Sequence, residues 1–336
     1  MENQKNHALR REPAKTEKLS YIVSGADYDQ RTNNKLLRIQ TRIGSLLNVP
    51  SDYHILLYDL KQVGGVNLFR PLEVKENSRC GFLDAGSRSS LAISLARNYH
   101  EVEIIGSSRE SNYRYVPNAD WIPFNISFLH LTSTNEKEGN RKTGFPKIKT
   151  PMLLDMSSDL FSTKVMIEDF AMIYAVGNNQ IIPDDLCLVI IKNRFLTNLA
   201  YRLLAEPGLV GKGGRVVTGV FKSLFLLDHN LRELEKTGGI TEYRKRYEEL
   251  SEMLYREIER NSKFCYSVNP SDRAVIAVRF SLSSSDEILP FAMHVDAGNL
   301  SMVIRCAHGE FLVLIEKFSK KEIMKLICLM QEFELK

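Results

Sequence analysis

Short apolar runs alternate with amphipathic stretches along most of the chain, and this alternation restricts the possible fold more than any other feature. Residues 54–58 (HILLY) and 186–191 (LCLVII) are two such runs, whereas residues 33–47 repeat apolar side chains on one helical face. Short apolar runs are typical of strands buried on both faces, and strands that alternate with helices favour a mainly parallel sheet. The sequence therefore predicts an α/β fold.

The same reasoning assigns the other elements. Further strands are predicted at 80–84, 102–105, 126–131, 152–156, 172–174, 275–280, 301–305 and 311–315, and further helices at 87–98, 222–236 and 241–260. Ser319 and Glu322 have the spacing of a capping box and predict the start of a last helix. The polar segment 132–148 is predicted to be a solvent-exposed loop.

Three regions are expected along the chain. Residues 1–18 are polar and are predicted to form a mobile N-terminal arm. Residues 19–240 are predicted to form a large domain, and residues 241–336 a small C-terminal α/β domain. The boundary is placed near Gly238 to Thr241, because the paired glycines 238 and 239 are typical of a helix C-terminus.

Composition excludes several classes of function. The 45 Lys and Arg residues exceed the 41 Asp and Glu residues by only four, so we expect no nucleic-acid partner. The apolar runs are far shorter than the ~20 residues of a membrane span, so we expect no membrane partner. The N-terminal residues lack the apolar segment of an export signal. Five widely spaced cysteines fit buried free thiols in a reducing compartment, so a cytoplasmic location is predicted.

Most motifs of catalysis and metal binding are missing from the sequence. Residues 208–213 (GLVGKG) superficially resemble a phosphate-binding loop, but the spacing is short and a glycine stands where a magnesium-binding Ser or Thr is needed. The seven histidines show no metal-ligand spacing, so no metal site is predicted. His130, at a strand end, is interpreted as a packed residue.

Four segments, read in order, carry a family resemblance. They are LLNVPSDYHILL, FLDAGSRSSLAISLA, LLDMSSDLFST and MIYAVGNNQIIPDDLCLVIIKNRFL. From about residue 26 to the C-terminus the chain resembles the phosphoserine aminotransferases of the class V aminotransferase family. The resemblance implies the fold type I of pyridoxal-phosphate enzymes: a large domain with a seven-stranded, mostly parallel sheet, a small C-terminal α/β domain, and a homodimer with sites at the subunit interface.

The resemblance also places an asparagine where the family has its essential lysine. In that family a lysine forms a Schiff base with pyridoxal phosphate and then moves the proton during transamination. The family motif Y-A-G-A-Q-K-N corresponds here to residues 174–180 (YAVGNNQ), which aligns Asn179 with the lysine. An amide neither forms the imine nor serves as an acid or base near neutral pH. Lys164 and Lys192 are nearest in sequence and are predicted to be surface charges.

Other cofactor and substrate positions are changed as well. Arg88 corresponds to the tryptophan that stacks on the cofactor, and Glu136 to a threonine. Residues 59–63 (DLKQV) replace a glycine-rich phosphate cradle, and residues 27–28 (DY) replace an H-R pair that helps to bind the substrate's anionic groups. Arg88 is a candidate substrate-binding residue.

A few positions match the family. By the resemblance, Asp155 and Thr218 are remnants of the cofactor site, and Arg305 is a remnant of the substrate site; Ser157 and Ser158 match as well. Asp155 would sit beside the pyridine nitrogen, although an aspartate at a strand end also often caps backbone amides.

Three hypotheses follow from this pattern. The first is a pseudoenzyme that does not transaminate, has no cofactor, and acts by binding a partner or ligand, as a homodimer or as a heterodimer with an active paralogue. The second is an aminotransferase of serine biosynthesis with a relocated base, or a pyridoxal-phosphate enzyme of altered chemistry. The third is a binding module for another anionic metabolite that uses Arg88 or Arg305.

Overall fold

The computed structural model describes residues 30–59, 69, 79–177, 179–195, 218–300 and 302–335. The strands are β1 Tyr53–Asp59, β2 Arg79–Asp84, β3 Val102–Ser107, β4 Ile126–Thr132, β5 Thr134–Asn135, β6 Asn140–Arg141, β7 Met152–Asp155, β8 Met172–Val176, β9 Leu186–Lys192, β10 Phe264–Tyr266, β11 Ala277–Leu282, β12 Ile304–Arg305 and β13 Glu310–Leu314. The α-helices are α1 Gln30–Leu47, α2 Ser87–Ala96, α3 Thr218–Lys236, α4 Gly239–Arg260, α5 Ile288–Ala297 and α6 Lys320–Glu334.

A seven-stranded sheet forms the first layer of the molecule, in the order β1-β9-β8-β7-β4-β2-β3. Strand β9 runs antiparallel to both of its neighbours, β1 and β8, and the remaining pairs are parallel. The predicted α/β fold with a mostly parallel seven-stranded sheet is confirmed.

Both faces of this sheet are covered, which explains why its strands are apolar at successive positions. In β9 the side chains of Leu188 and Ile190 join the cluster that includes α1 and α3, whereas Val189 joins the cluster that includes α2. The two clusters bury the sheet between helical layers.

A second, four-stranded antiparallel sheet follows in the order β10-β11-β13-β12. It packs against α4, α5 and α6 around a separate apolar cluster that includes Phe280, Phe291 and Phe311. The capping box of α6 is confirmed, because Ser319 and Glu322 exchange hydrogen bonds. The predicted strand at 301–305 is shorter than expected and comprises Ile304–Arg305 alone among its described residues. The domain boundary at residue 240 stays a prediction.

The prediction that residues 132–148 form an exposed loop is wrong for its first half. Strands β5 and β6 form a hairpin there, and Thr134, Asn135 and Asn140 are buried. The segment reads as polar because hydrogen bonds, not apolar contacts, hold it in place; for example, the Asn140 side-chain amide donates to the carbonyl oxygens of Ala85 (2.7 Å) and Tyr113 (2.9 Å). Buried polar groups are tolerated when they are paired in this way.

The expectation of buried cysteines holds for only part of the set. Cys80 and Cys187 are buried free thiols, Cys306 is half-buried, and Cys265 and Cys328 are exposed. Among the described residues, none of the helices is both long enough and apolar enough to span a bilayer. The predicted arm at 1–18, residues 27–28, most of 59–63 and all of 208–213 lie outside the described residues.

Candidate functional site

The carboxyl ends of four parallel strands bring the candidate residues to one edge of the large sheet. Arg88 follows β2, Glu136 follows β4, Asp155 ends β7, and Asn179 follows β8. Strands β2, β4, β7 and β8 are neighbours in the sheet and run in the same direction. Open α/β sheets bind their ligands at this edge.

Asp155, the last residue of β7, is buried at this edge, with 6% of its surface exposed. Its carboxylate accepts hydrogen bonds from the backbone N–H of Ser157 (2.8 Å) and from the Ser157 hydroxyl. Burial raises the pKa of the Asp155 carboxyl, and the positive charge of Arg88 and the Ser157 hydrogen bonds oppose that rise. Asp155 therefore caps the turn that follows β7 and faces a cation of the same chain.

Arg88 and Glu136 form a bidentate ion pair. The Arg88 guanidinium donates from Nε to Glu136 Oε2 (2.7 Å) and from Nη2 to Glu136 Oε1 (3.0 Å). Arg88 Nε also donates to the Ser158 hydroxyl oxygen (2.7 Å), and that hydroxyl donates to Glu136. Burial opposes ionisation of Glu136, but the charge and hydrogen bonds of Arg88 outweigh it and lower the pKa of the carboxyl. For Arg88, burial favours the neutral form, but the charges of Asp155 and Glu136 outweigh it and raise the pKa.

Asn179 uses both ends of its side-chain amide on backbone groups. Its Nδ2 donates to the carbonyl oxygen of Ser157 (2.8 Å), and its Oδ1 accepts from the backbone N–H groups of Ile181 (3.0 Å) and Ile182 (2.8 Å). An asparagine that bonds N–H groups two and three residues ahead stabilises a turn. In this structure Asn179 fixes the chain between β8 and β9 and ties it to the turn after β7.

His130 is packed beneath this edge, as predicted. Its ring stacks on Phe82 with ring centroids 4.9 Å apart, and its Nε2 lies 2.8 Å from the Tyr174 hydroxyl. Complete burial lowers the pKa of His130 to about 3. The imidazole is therefore neutral at physiological pH and belongs to the aromatic cluster on one face of the sheet.

A cavity of about 780 Å³ opens between this edge and the second sheet. Glu136, Ser158 and Asn179 line it from the large sheet, and the other side includes Arg279, Cys306 and Glu316. Arg88 and Asp155 are not among the lining residues and lie behind Glu136 and Ser158. Two lysines, Lys137 and Lys317, also line the cavity.

Two carboxyl groups of the cavity wall, Glu138 and Glu316, have raised pKa values. Burial raises the pKa of Glu138, whose carboxylate accepts from the Ser87 hydroxyl (3.2 Å). Burial also raises the pKa of Glu316. Arg279 pairs with Glu310, and its Nη1 donates to the carbonyl oxygen of Lys137 (3.1 Å). The described residues contain no cluster of His, Cys, Asp or Glu side chains suited to hold a metal ion.

The structure does not bring every sequence-predicted residue to this place. Arg305 pairs with Asp296 at the surface and is not among the residues that line the cavity. Thr218 is the first residue of α3, and its side chain lies outside the described part of the chain. Lys164 is exposed, and Lys192 pairs with Asp52 (3.5 Å), as expected of surface charges.

Sequence reasoning missed the pairing of Arg88 with Glu136 and the contribution of Arg279 and Glu138. One signal was available in the sequence. Arg88 and Glu136 carry opposite charges, whereas the family residues aligned with them, a tryptophan and a threonine, are uncharged. Both positions follow neighbouring strands. No comparable signal pointed to Arg279, which reaches the cavity from β11.

The sheet order, the covering helices and the second antiparallel sheet define the class: this is the fold of the type I pyridoxal-phosphate-dependent transferases. The chain is, more particularly, a homologue of the phosphoserine aminotransferases. No family model matches the chain.

Individual relatives agree with this identification. The phosphoserine aminotransferase of Shouchella clausii is 29% identical over 268 residues, which cover 77% of this chain and 71% of the relative. That of Azobacteroides pseudotrichonymphae is 29% identical over 304 residues, covering 86% and 82%. A solved phosphoserine aminotransferase, studied for radiation damage of its Schiff base, has a TM-score of 0.80 at 22% identity and covers 94% of this chain and 90% of that one.

Proposed function

We propose that this chain is an aminotransferase-fold protein that does not transaminate and acts by binding a partner or a small ligand. One observation carries the proposal: the side chain that the resemblance aligns with the Schiff-base lysine is Asn179, whose amide bonds at both ends to the backbone of Ser157, Ile181 and Ile182. An amide at this place supplies neither a covalent tether nor a proton shuttle. The role of Asn179 in the fold is that of a turn-stabilising residue.

The neighbouring side chains support the same proposal. The residues present do not fit a tethered pyridoxal phosphate, because Arg88, which the resemblance aligns with the stacking tryptophan, is held by Glu136 and Ser158. The relatives differ in this respect, since the solved phosphoserine aminotransferase carries a Schiff base.

The test is a search for a covalent cofactor adduct on the purified chain. The protein is incubated with pyridoxal phosphate, reduced with borohydride, digested and analysed by mass spectrometry, and conversion of phosphohydroxypyruvate and glutamate is measured in parallel. We expect no lysine to be modified stoichiometrically and no conversion above background. A single, fully modified lysine together with turnover would contradict the proposal.

A second candidate function, an aminotransferase with a relocated lysine, has one observation in its favour. Lys137 and Lys317 line the cavity beside Asn179. If an adduct forms, the variants Lys137→Arg and Lys317→Arg identify its site, because arginine keeps the positive charge but does not form the imine. Loss of both adduct and turnover in one variant alone would establish this second function.

The proposal includes the assembly and location of the protein. We propose a dimer, as a homodimer or with an active paralogue, in the cytoplasm, where the five free cysteines stay reduced. Light scattering of the purified chain should give twice the 38.4 kDa chain mass for a homodimer. A monomer that acquires this mass only when a phosphoserine aminotransferase is added would favour the heterodimer.

A further inference from the structure

The retained and the altered positions of the candidate site form a network of two hydrogen-bonded sets, which meet at the adjacent residues Ser157 and Ser158. Arg88 and Glu136 bond to each other and to Ser158, whereas Asn179 bonds to Ser157, which in turn bonds to Asp155. The Ser157 hydroxyl oxygen also accepts from the backbone N–H of Val176 (3.0 Å). The changes from the family pattern are therefore mutually compatible replacements and not isolated losses.

The network supplies from within the chain a positive charge beside Asp155. By the resemblance, the family aspartate pairs with the protonated ring nitrogen of the cofactor. Here Arg88 Nε bonds to the hydroxyl of Ser158 (2.7 Å), three residues after Asp155, and the positive charge of Arg88 favours the ionised form of Asp155 against the effect of burial. Bidentate pairing with Glu136 fixes the orientation of the guanidinium, because Nε and Nη2 donate to the two carboxylate oxygens at the same time.

The same three charges disfavour an incoming phosphate ester. Arg88, Glu136 and Asp155 carry one positive and two negative charges in a place where the side chains of Arg88 and Glu136 are only 15% and 14% exposed. The adjoining cavity carries charges of both signs, from Glu138 and Glu316 and from Lys137, Arg279 and Lys317, so the exclusion rests on the buried pair itself. A ligand that separated Arg88 from Glu136 would leave a buried charge without its partner, which is strongly unfavourable.

We propose that the Arg88–Glu136 ion pair, held by Ser158 beside Asp155, takes over the place and charge of the cofactor and excludes pyridoxal phosphate even as a non-covalent ligand. This inference rests on the proposed function and deepens it, because it assigns the exclusion to a particular pair of residues. Loss of the lysine alone would prevent the covalent tether but would leave a site able to hold the cofactor by its ring and phosphate. The ion pair occupies that site and so prevents non-covalent binding of the cofactor as well.

The test restores the family residue types while Asn179 is kept, so that any binding is non-covalent. Binding of pyridoxal phosphate is measured by equilibrium dialysis for the full chain and for the double variant Arg88→Trp, Glu136→Thr. A second double variant, Arg88→Met with Glu136→Gln, removes both charges at similar volume and provides a folded alternative if the first variant is unstable. The control is Arg256→Met with Glu252→Gln, which removes an exposed ion pair on α4.

We expect at least one folded site variant to bind pyridoxal phosphate with an affinity at least tenfold higher than the parent chain, and the control to be unchanged. Thermal melts establish which variants are folded. If both site variants fold and neither gains affinity, the inference is wrong while the proposed function stands. A parent chain that binds the cofactor non-covalently as tightly as the variants likewise overturns the inference. A reducible covalent adduct on the parent chain overturns the proposed function instead.

Discussion

Single side chains at the carboxyl edge of the large sheet satisfy their polar groups within the chain. Asn179 bonds three backbone groups, and Asp155 accepts two hydrogen bonds from Ser157. Replacing Asn179 with lysine would remove these bonds, and a lost bond to a buried backbone group costs about 1–3 kcal/mol. Restoring the family lysine alone therefore weakens a turn before it can provide any chemistry.

Because His130 is buried as a neutral imidazole, we expect the free energy of unfolding to depend on pH. The pKa of the folded imidazole is about 3, whereas an unfolded histidine titrates near 6.5. The unfolded chain therefore binds a proton that the folded chain does not. The stabilising contribution is complete above pH 6.5 and is lost as the pH falls toward 3, by about 1.4 kcal/mol for each pH unit.

The measurement is the free energy of unfolding by urea between pH 7 and pH 5. The variant His130→Phe keeps an aromatic ring against Phe82 and should show a slope smaller by about one proton than the parent chain. His229→Gln replaces an exposed histidine of α3 and serves as the control. Equal slopes for the parent chain and His130→Phe would contradict the burial of a neutral imidazole.

For single side chains, the sequence predicted some roles and not others. The packed state of His130 follows from its place in an apolar strand, and Asn179 and Asp155 follow strands that the apolar runs identify. The Arg88–Glu136 pair did not follow, because 48 residues separate its members and no local pattern joins them. Contacts between neighbouring strand ends depend on the sheet order, which the apolar pattern leaves open.

Among the elements, strands and helices with a strong apolar pattern were predicted well, and polar elements were not. Strand β9 and helix α1 agree with the predicted runs to within a few residues. Hairpin β5–β6 was missed, because its buried residues are polar and are paired by hydrogen bonds. Apolar periodicity detects burial by the hydrophobic effect and does not detect burial of paired polar groups.

The connection between β8 and β9 depends on Gly177. A Cβ atom added there would lie 1.8 Å from the carbonyl oxygen of Pro183 and 2.8 Å from Asp184 Cα. Both contacts are with backbone, so the clash is not relieved by a side-chain rotation. Gly177 also donates its N–H to the carbonyl oxygen of Leu186 (2.7 Å), which holds the connection against β9.

We expect Gly177→Ala to reduce the free energy of unfolding by roughly 3 kcal/mol or more, because overpacking against backbone displaces the whole connection. Urea denaturation measures the change. The matched variant is Gly44→Ala in α1, where the new Cβ would meet Ile55 Cδ1 at an ordinary 3.6 Å. That variant should gain about 0.5–1 kcal/mol, because alanine favours a helix more than glycine does. An unchanged denaturation midpoint for Gly177→Ala would show that the connection is arranged differently.

The hairpin segment, which comprises β5, β6 and the turn between them, joins the two sheets of the molecule. The carbonyl oxygen of Gly139 accepts from the backbone N–H of Ala274 (2.8 Å), and the Arg279 side chain donates to the carbonyl oxygen of Lys137 (3.1 Å). A further bond runs from the Asn269 N–H to the carbonyl oxygen of Arg114 (2.8 Å). Arg279 and Lys137 also line the cavity, so the geometry of the candidate site depends on how the sheets are joined.

Gly139 provides the test of this junction. Its φ of +71° is unfavourable for other residues, and an added Cβ atom would lie 2.9 Å from Arg279 Cβ. We expect Gly139→Ala to destabilise the protein by roughly 1–3 kcal/mol, since backbone strain and the new contact act together. The amide of Ala274 should then exchange its hydrogen faster, because its acceptor is displaced, and calorimetry should show a lower and broader transition.

The control is Gly144→Ala, which lies in the same 132–148 segment. Nothing lies within 4 Å of the new Cβ there, so this variant should match the parent chain. If the two variants behave alike, the hairpin does not couple the sheets.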